Sequence, residues 1–115
     1  MKDITIIIPV FNEFKTIEKL LKRIFKLKIK KQLIVVDDGS NDGTLDILNK
    51  YKKKINKLII HKKNLGKGAA IISAKKHIQG RYVAIQDADL EYNPNDLVKI
   101  YKYIKKSNLN VVYGS

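Results

Sequence analysis

The chain contains no cysteine, which excludes disulfides and thiolate metal sites together. No apolar run is long enough to cross a bilayer as a helix, and no signal peptide opens the sequence. The cytoplasm is therefore the expected compartment. Arginine is scarce: of 24 basic residues only Arg23 and Arg81 are arginine, although the formal net charge is +13. Forks suited to bidentate recognition of phosphate or guanine are nearly missing, and no basic ribbon interleaved with aromatics is present. No nucleic-acid partner is expected. The lysine excess has two readings, attraction to phosphate-rich partners (nucleic acid, anionic lipid or nucleotide substrates), and a genome whose codons favour Lys, Ile and Asn, of which the second is preferred.

What the chain does have is an alternation of apolar runs and helical repeats. At 115 residues, with 44% hydrophobic and 30% charged residues, it is long enough for one domain with a real core. Residues 4–9 form a β-branched run that fits a strand buried on both faces. Ile17, Leu20, Leu21 and Ile24 then recur at helical spacing. Residues 33–36 predict a second strand, with Asn41 or Asp42 capping a helix whose inner face is Leu45, Leu48 and Tyr51. A short strand over 58–60 and a helix over 68–78, closed by Gly80, come next. Residues 82–85 predict a fourth strand. Pro94 opens a helix carrying Leu97, Ile100, Tyr101 and Ile104, and residues 111–113 begin a fifth strand. This alternation predicts an α/β fold, a mostly parallel sheet with helices on both faces and all post-strand loops on one edge. Ligands of such sheets bind at that edge.

The loops on that edge hold the unusual residues. After the fourth strand, Asp87, Asp89 and Glu91 alternate, so on an extended segment their carboxylates share one side. A cation between them is expected, and oxygen ligands favour magnesium or manganese. After the first strand come Pro9-Val10-Phe11-Asn12-Glu13; Glu13 either serves the site or supports the first turn of the following helix. After the second come Asp37-Asp38-Gly39-Ser40, whose carboxylates can accept from a ribose hydroxyl or a base N–H. Turn chemistry accounts for Asn41, Asp42 and Gly43 but less well for Asp38. The third loop, Asn64-Leu65-Gly66-Lys67-Gly68, either binds phosphate through Lys67 and backbone N–H groups or lets helix and strand pack closely. Its spacing is not that of a Walker A loop. Three acidic loops on one edge suggest a nucleotide diphosphate bridged by a metal.

Ile8-Pro9-Val10-Phe11-Asn12-Glu13, Val35-Val36-Asp37-Asp38-Gly39-Ser40, Asn64-Leu65-Gly66-Lys67-Gly68 and Asp87-Ala88-Asp89, in this order and spacing, resemble glycosyltransferase family 2. Within it they are most similar to the branch of dolichyl-phosphate mannosyltransferases and undecaprenyl-phosphate glycosyltransferases. The resemblance implies a GT-A fold, a UDP- or GDP-sugar donor, inversion at the anomeric carbon and a polyprenyl-phosphate acceptor, or a glycan one. It implies that Pro9, Phe11, Glu13, Val36 and Asp38 line the base and ribose pocket, with Asp38 meeting the base. Asp87 and Ala88 would lie along the ribose and diphosphate and Asp89 would bind the metal, while the residues themselves add Lys67 as a phosphate contact and Asp87 and Glu91 as further metal ligands. Glu91 stands where that branch often has glutamine, and Phe11 where tyrosine is common. Residues 1–115 then correspond to the donor-binding part of such a domain, apparently truncated, with no catalytic residue in this half except Asp89 through the metal, the base of the family lying in the second half. Association with the inner face of the membrane would suit a lipid acceptor.

Other readings make different demands. A catalytically inactive nucleotide-sugar-binding fragment or subunit shares every motif. Receiver domains and haloacid dehalogenase-type phosphatases place acids after the first strand, where this chain has Pro-Val-Phe-Asn-Glu. A dinucleotide-binding dehydrogenase needs a G-x-G-x-x-G there, which is missing. His61 and His77 have no partner at metal-binding spacing and read as strand-end or helix-surface residues.

Overall fold

The computed structural model describes residues 3–88 and 111–114. Strands β1 (Ile4–Val10), β2 (Lys31–Asp38), β3 (Lys57–His61), β4 (Tyr82–Gln86) and β5 (Val111–Gly114) form one sheet in the order β3-β2-β1-β4-β5. Every pairing is parallel. Helices α1 (Ile17–Phe25), α2 (Thr44–Lys50) and α3 (Lys67–Lys75) connect the first four strands. The α/β architecture expected from the alternation is the one observed. The helix expected after Pro94 lies outside the described residues.

Strand periodicity divides the core in two. Ile4, Ile6, Ile8 and Val10 of β1 face one way with Leu33 and Val35, and there they meet Ile17, Leu20, Leu21 and Ile24 of α1 and Leu48 of α2. Ile7, Ile34, Val36 and Ile85 face the other way, against Ala70 and Ala74 of α3. Each large side chain so buried contributes roughly 1.5–3 kcal/mol. The small residues of α3 let its backbone sit close to the sheet. Helices α1 and α2 thus cover one face while the chain moves outward from β1 to β3. Helix α3 covers the other as the chain returns to β4. The winding reverses beside β1, so the loops after β1 and β4 diverge and leave a crevice at the carboxyl edge.

Three local expectations differ from what is observed. The N-cap position of α2 is Gly43, at φ 96°, rather than Asn41 or Asp42; the Asp42 carboxylate still accepts from the Thr44 N–H at 3.0 Å. The inner face of α2 uses Ile47 rather than Leu45 beside Leu48 and Tyr51. Helix α3 ends at Lys75, and Gly80 serves packing instead of closing it. A Cβ on Gly80 would lie 2.5 Å from the Thr5 nitrogen, so only a bare backbone can pass β1 there. The buried Thr5 hydroxyl accepts from Gly80 N–H and donates to Gln32, whose amide donates to the His77 carbonyl.

Candidate functional site

The crevice holds a cavity of about 320 Å³ walled by the four post-strand loops. Pro9 and Val10 end β1 and Phe11 and Glu13 follow it, Asp38 ends β2, Asn64 and Gly66 precede α3, and Lys67 opens α3. Asp87 and Ala88 follow β4. Of the expected site residues, the structure therefore brings together Pro9, Phe11, Glu13, Asp38, Lys67, Asp87 and Ala88. Val36 is not in this wall; it pairs with Pro9 along the sheet and its side chain is buried under α3. Asp89 and Glu91 lie outside the described residues.

The loops after β1 and β2 are laced together. Asn12, at φ 52°, donates its N–H to Ser40 Oγ, and its side-chain oxygen accepts from Asn41 N–H, both at 2.9 Å. Glu13 N–H donates to Thr44 Oγ1 at 3.0 Å, and Phe14 N–H to Asp42 at 3.2 Å. The Glu13 carbonyl accepts from Thr16 and Ile17 N–H at the start of α1, and the residue lines the cavity. Thr16 Oγ1 donates to the Ala88 carbonyl at 2.8 Å and lies 3.1 Å from Glu13 Oε2, tying the β1 and β4 loops. Phe11 is 43% exposed, so its ring offers an apolar face to whatever fills the cavity.

Asp38 is the most heavily bonded side chain of the site. Its Oδ1 accepts from His61 Nδ1 at 2.8 Å and from Leu65 N–H at 2.9 Å. Its Oδ2 accepts from Gly66 N–H at 2.8 Å and from Asn64 Nδ2 at 3.1 Å. Burial alone would push this carboxyl up, but the bonds from His61, Leu65 and Gly66 outweigh it and hold the carboxyl below its ordinary value. Gly39 lets the β2 loop press on the β3 loop: a Cβ there would lie 2.5 Å from the Lys63 carbonyl carbon. The neighbouring Asp37 accepts from Ser40 N–H at 3.1 Å and is buried, which is turn chemistry.

Lys67 Nζ pairs with Asp87 Oδ1 at 2.5 Å across the cavity mouth. A lysine from the third loop thus neutralises the first acid of the fourth. Among the described residues no group of three or more His, Cys, Asp or Glu side chains gathers in metal-binding geometry. The carboxylates on the wall, Glu13, Asp38 and Asp87, are oxygen donors alone; Asp38 is taken up by its own hydrogen bonds and Asp87 is paired with the Lys67 ammonium. That chemistry fits a hard divalent ion.

His61 and Asn64, neither of which the sequence marks as a site residue, both bond the Asp38 carboxylate. The register pairs Asp38 directly with His61, which a reading of either strand alone does not contain. Among the described residues no helix is long and apolar enough to cross a membrane.

The family model of Glycosyl transferase family 2 matches residues 5–115. The undecaprenyl-phosphate 4-deoxy-4-formamido-L-arabinose transferase of Pseudomonas syringae is 32% identical over 109 residues, 89% of this chain and 32% of its own. Staphylococcus aureus TarS (residues 1–349) in complex with UDP-GlcNAc superposes with a TM-score of 0.78 at 31% identity. The match covers 94% of this chain and 32% of TarS 1–349. The mannosyltransferase PcManGT of Pyrobaculum calidifontis, in complex with GDP-Man and Mn2+, gives 0.73 at 27%, covering 85% of this chain and 31% of the other. The sheet and its helices are thus those of the GT-A transferases it superposes on. The chain spans about half or less of the length of the curated relatives it matches.

Proposed function

The chain belongs to glycosyltransferase family 2, and from that premise we propose that residues 1–115 form the nucleotide-sugar-binding part of a glycosyltransferase domain. The donor is a UDP- or GDP-sugar and the acceptor a polyprenyl phosphate. The observation that carries the reading is the cavity itself, where a half-exposed aromatic ring, a bonded carboxylate, a helix start bearing Lys67 and the Asp87 carboxylate converge on one crevice.

Each wall has work to do in that reading. Phe11 offers its ring to the base, with Pro9 and Val36 fixing the β1 and β2 backbones behind it. Asp38 meets the base edge, and Glu13 and Ala88 bound the ribose. Lys67, with the N–H groups opening α3, suits the diphosphate. When a diphosphate enters, the Lys67 ammonium gains a second anionic partner beside Asp87, and the two negative groups no longer meet unscreened. Asp87, Asp89 and Glu91 would hold a magnesium or manganese ion, which supplies Lewis acidity at the leaving nucleoside diphosphate.

The acceptor oxygen forms its bond to the anomeric carbon on the face opposite the departing diphosphate, and the configuration inverts. A phosphate acceptor is already anionic and needs no strong base to take a proton. The P. syringae relative is itself an undecaprenyl-phosphate transferase, which supports that acceptor class. Such a lipid would hold the protein at the inner face of the cytoplasmic membrane.

The test is a thermal-shift titration of the chain with UDP, GDP and their sugars, with and without manganese or magnesium, beside Asp89→Ala. At a hundredfold excess over Kd a ligand adds about 2.7 kcal/mol, or roughly 10 °C for a chain of this size. A shift that requires the metal and disappears in Asp89→Ala is the expected result. A cooperatively melting chain that no nucleotide shifts would refute the reading. Transfer of labelled sugar to undecaprenyl phosphate then separates a working enzyme from a binding subunit.

A further inference from the structure

Asp38 is expected to meet the base, yet the chain's own donors already fill the acceptor directions of its carboxylate. An ionised carboxylate offers about four lone-pair sites. His61, Leu65, Asn64 and Gly66 occupy one each. Two of these donors are the backbone N–H groups of Leu65 and Gly66, so the carboxylate is also the anchor of the loop that leads into Lys67. His61 is different in kind. It stands at the end of β3, in direct register with Asp38, and its ring is nearly buried. Its other nitrogen, Nε2, lies 2.7 Å from Ser73 Oγ on α3.

We propose that His61 is the positioning residue of this site: clamped by Ser73, it donates Nδ1–H to Asp38 and fixes the carboxylate that anchors Leu65 and Gly66. The assignment rests on the donor-site reading given above. A carboxylate only accepts, so Nδ1 carries the proton. Nε2 then accepts from the Ser73 hydroxyl, and should the ring gain a second proton that hydroxyl rotates to accept instead. The bond to Asp38 therefore persists in either state of the ring. Of the four donors to Asp38, only Asn64 Nδ2 belongs to an exposed side chain, and its bond is the longest. A base N–H that reaches Asp38 takes the place of Asn64. His61 and the two backbone N–H groups hold the carboxylate still during that exchange.

Two substitutions of His61 separate positioning from packing. In His61→Asn the amide nitrogen falls close to the position of Nδ1 and restores the donor to Asp38. In His61→Gln it falls close to Nε2, keeping Ser73 and losing Asp38. Amide hydrogen exchange at Leu65 and Gly66 should quicken at least about tenfold in His61→Gln, the loss of one bond to a charged group. In His61→Asn it should stay within about threefold of wild type. Dissociation constants for UDP and GDP should follow the same order. Equal behaviour of the two variants, or unchanged exchange in both, overturns the assignment. If neither variant folds, the imidazole nitrogen shifts of the wild-type chain at pH 8 decide it. The Nδ1–H tautomer supports the clamp, and the Nε2–H tautomer refutes it. A wild-type chain that binds neither nucleotide sinks the donor-site reading instead, and the exchange and tautomer results still judge His61.

Discussion

Substituting Gly39→Ala tests how the β2 loop builds the site wall. The new methyl would lie 2.5 Å from the Lys63 carbonyl carbon, 2.6 Å from the Asn64 nitrogen and 2.9 Å from Lys63 Cα. All three are backbone atoms, so no side chain can swing aside. Relief to ordinary contact requires a displacement on the order of 1 Å. The segment that must move leads directly into Leu65 and Gly66, whose N–H groups donate to Asp38 at 2.9 and 2.8 Å. Lengthening both by that amount takes them out of hydrogen-bonding range. A φ of +81° adds roughly 1–2 kcal/mol for any residue with a Cβ. Together with weakened bonds to a charged acceptor, the expected loss is about 3–5 kcal/mol. Differential scanning calorimetry should register it as a fall of roughly 12–20 °C, taking about 4 °C per kcal/mol. Gly68→Ala is the matched control, because Gly68 lies within α3 and a methyl there meets nothing within 4 Å. It should stabilise by roughly 0.5–1 kcal/mol. A Gly39→Ala protein that melts within 2 °C of wild type would refute the account of the stacked loops.

Thr44→Val removes a buried hydroxyl that accepts from Glu13 N–H and bonds Asp42, leaving that N–H unpaired. A loss of about 1–3 kcal/mol in urea denaturation is expected, and none would deny the lacing of the two loops. The Asp38 carboxyl lies below its ordinary value in the folded chain, so its contribution is complete above the unfolded value and lost as pH falls through the folded one. The urea midpoint should therefore drop below about pH 4, and drop less in Asp38→Asn. An equal acid loss in both would assign it to other groups. Lys67→Met removes a partly exposed partner of Asp87, so stability should change by about 1 kcal/mol or less. Its affinity for UDP or GDP should nevertheless fall about tenfold, as read by calorimetric titration.

The elements were legible because burial writes itself into spacing. Ile17, Leu20, Leu21 and Ile24 recur every turn, and all four are fully buried. Residues 4–9 are apolar at every position but Thr5, without alternation, as a strand covered on both faces requires. The loops that form the cavity could be named because their glycines and acids cluster after strands. What spacing could not supply is register and the reach of long side chains. His61 meets Asp38 because two strands align end to end, and Lys67 meets Asp87 because α3 starts beside the end of β4. Nor could composition separate Gly43 from Asp42 at the start of α2, since either residue type suits a cap and the backbone conformation decided it.

Strand β1, made before the other four, sits at the centre of the sheet. Ile4 pairs with Lys31 on one side and with Tyr82 on the other. As the chain leaves the ribosome, β1, β2 and β3 can close over α1 and α2 well before β4 exists. The opposite flank of β1 must wait, and so must the crevice beside it. Nascent chains arrested before residue 82 should already resist proteolysis across the first three strands while retaining no nucleotide. The binding crevice thus comes into being only with the fourth strand, and a nucleotide it holds selects chains whose fourth strand has docked.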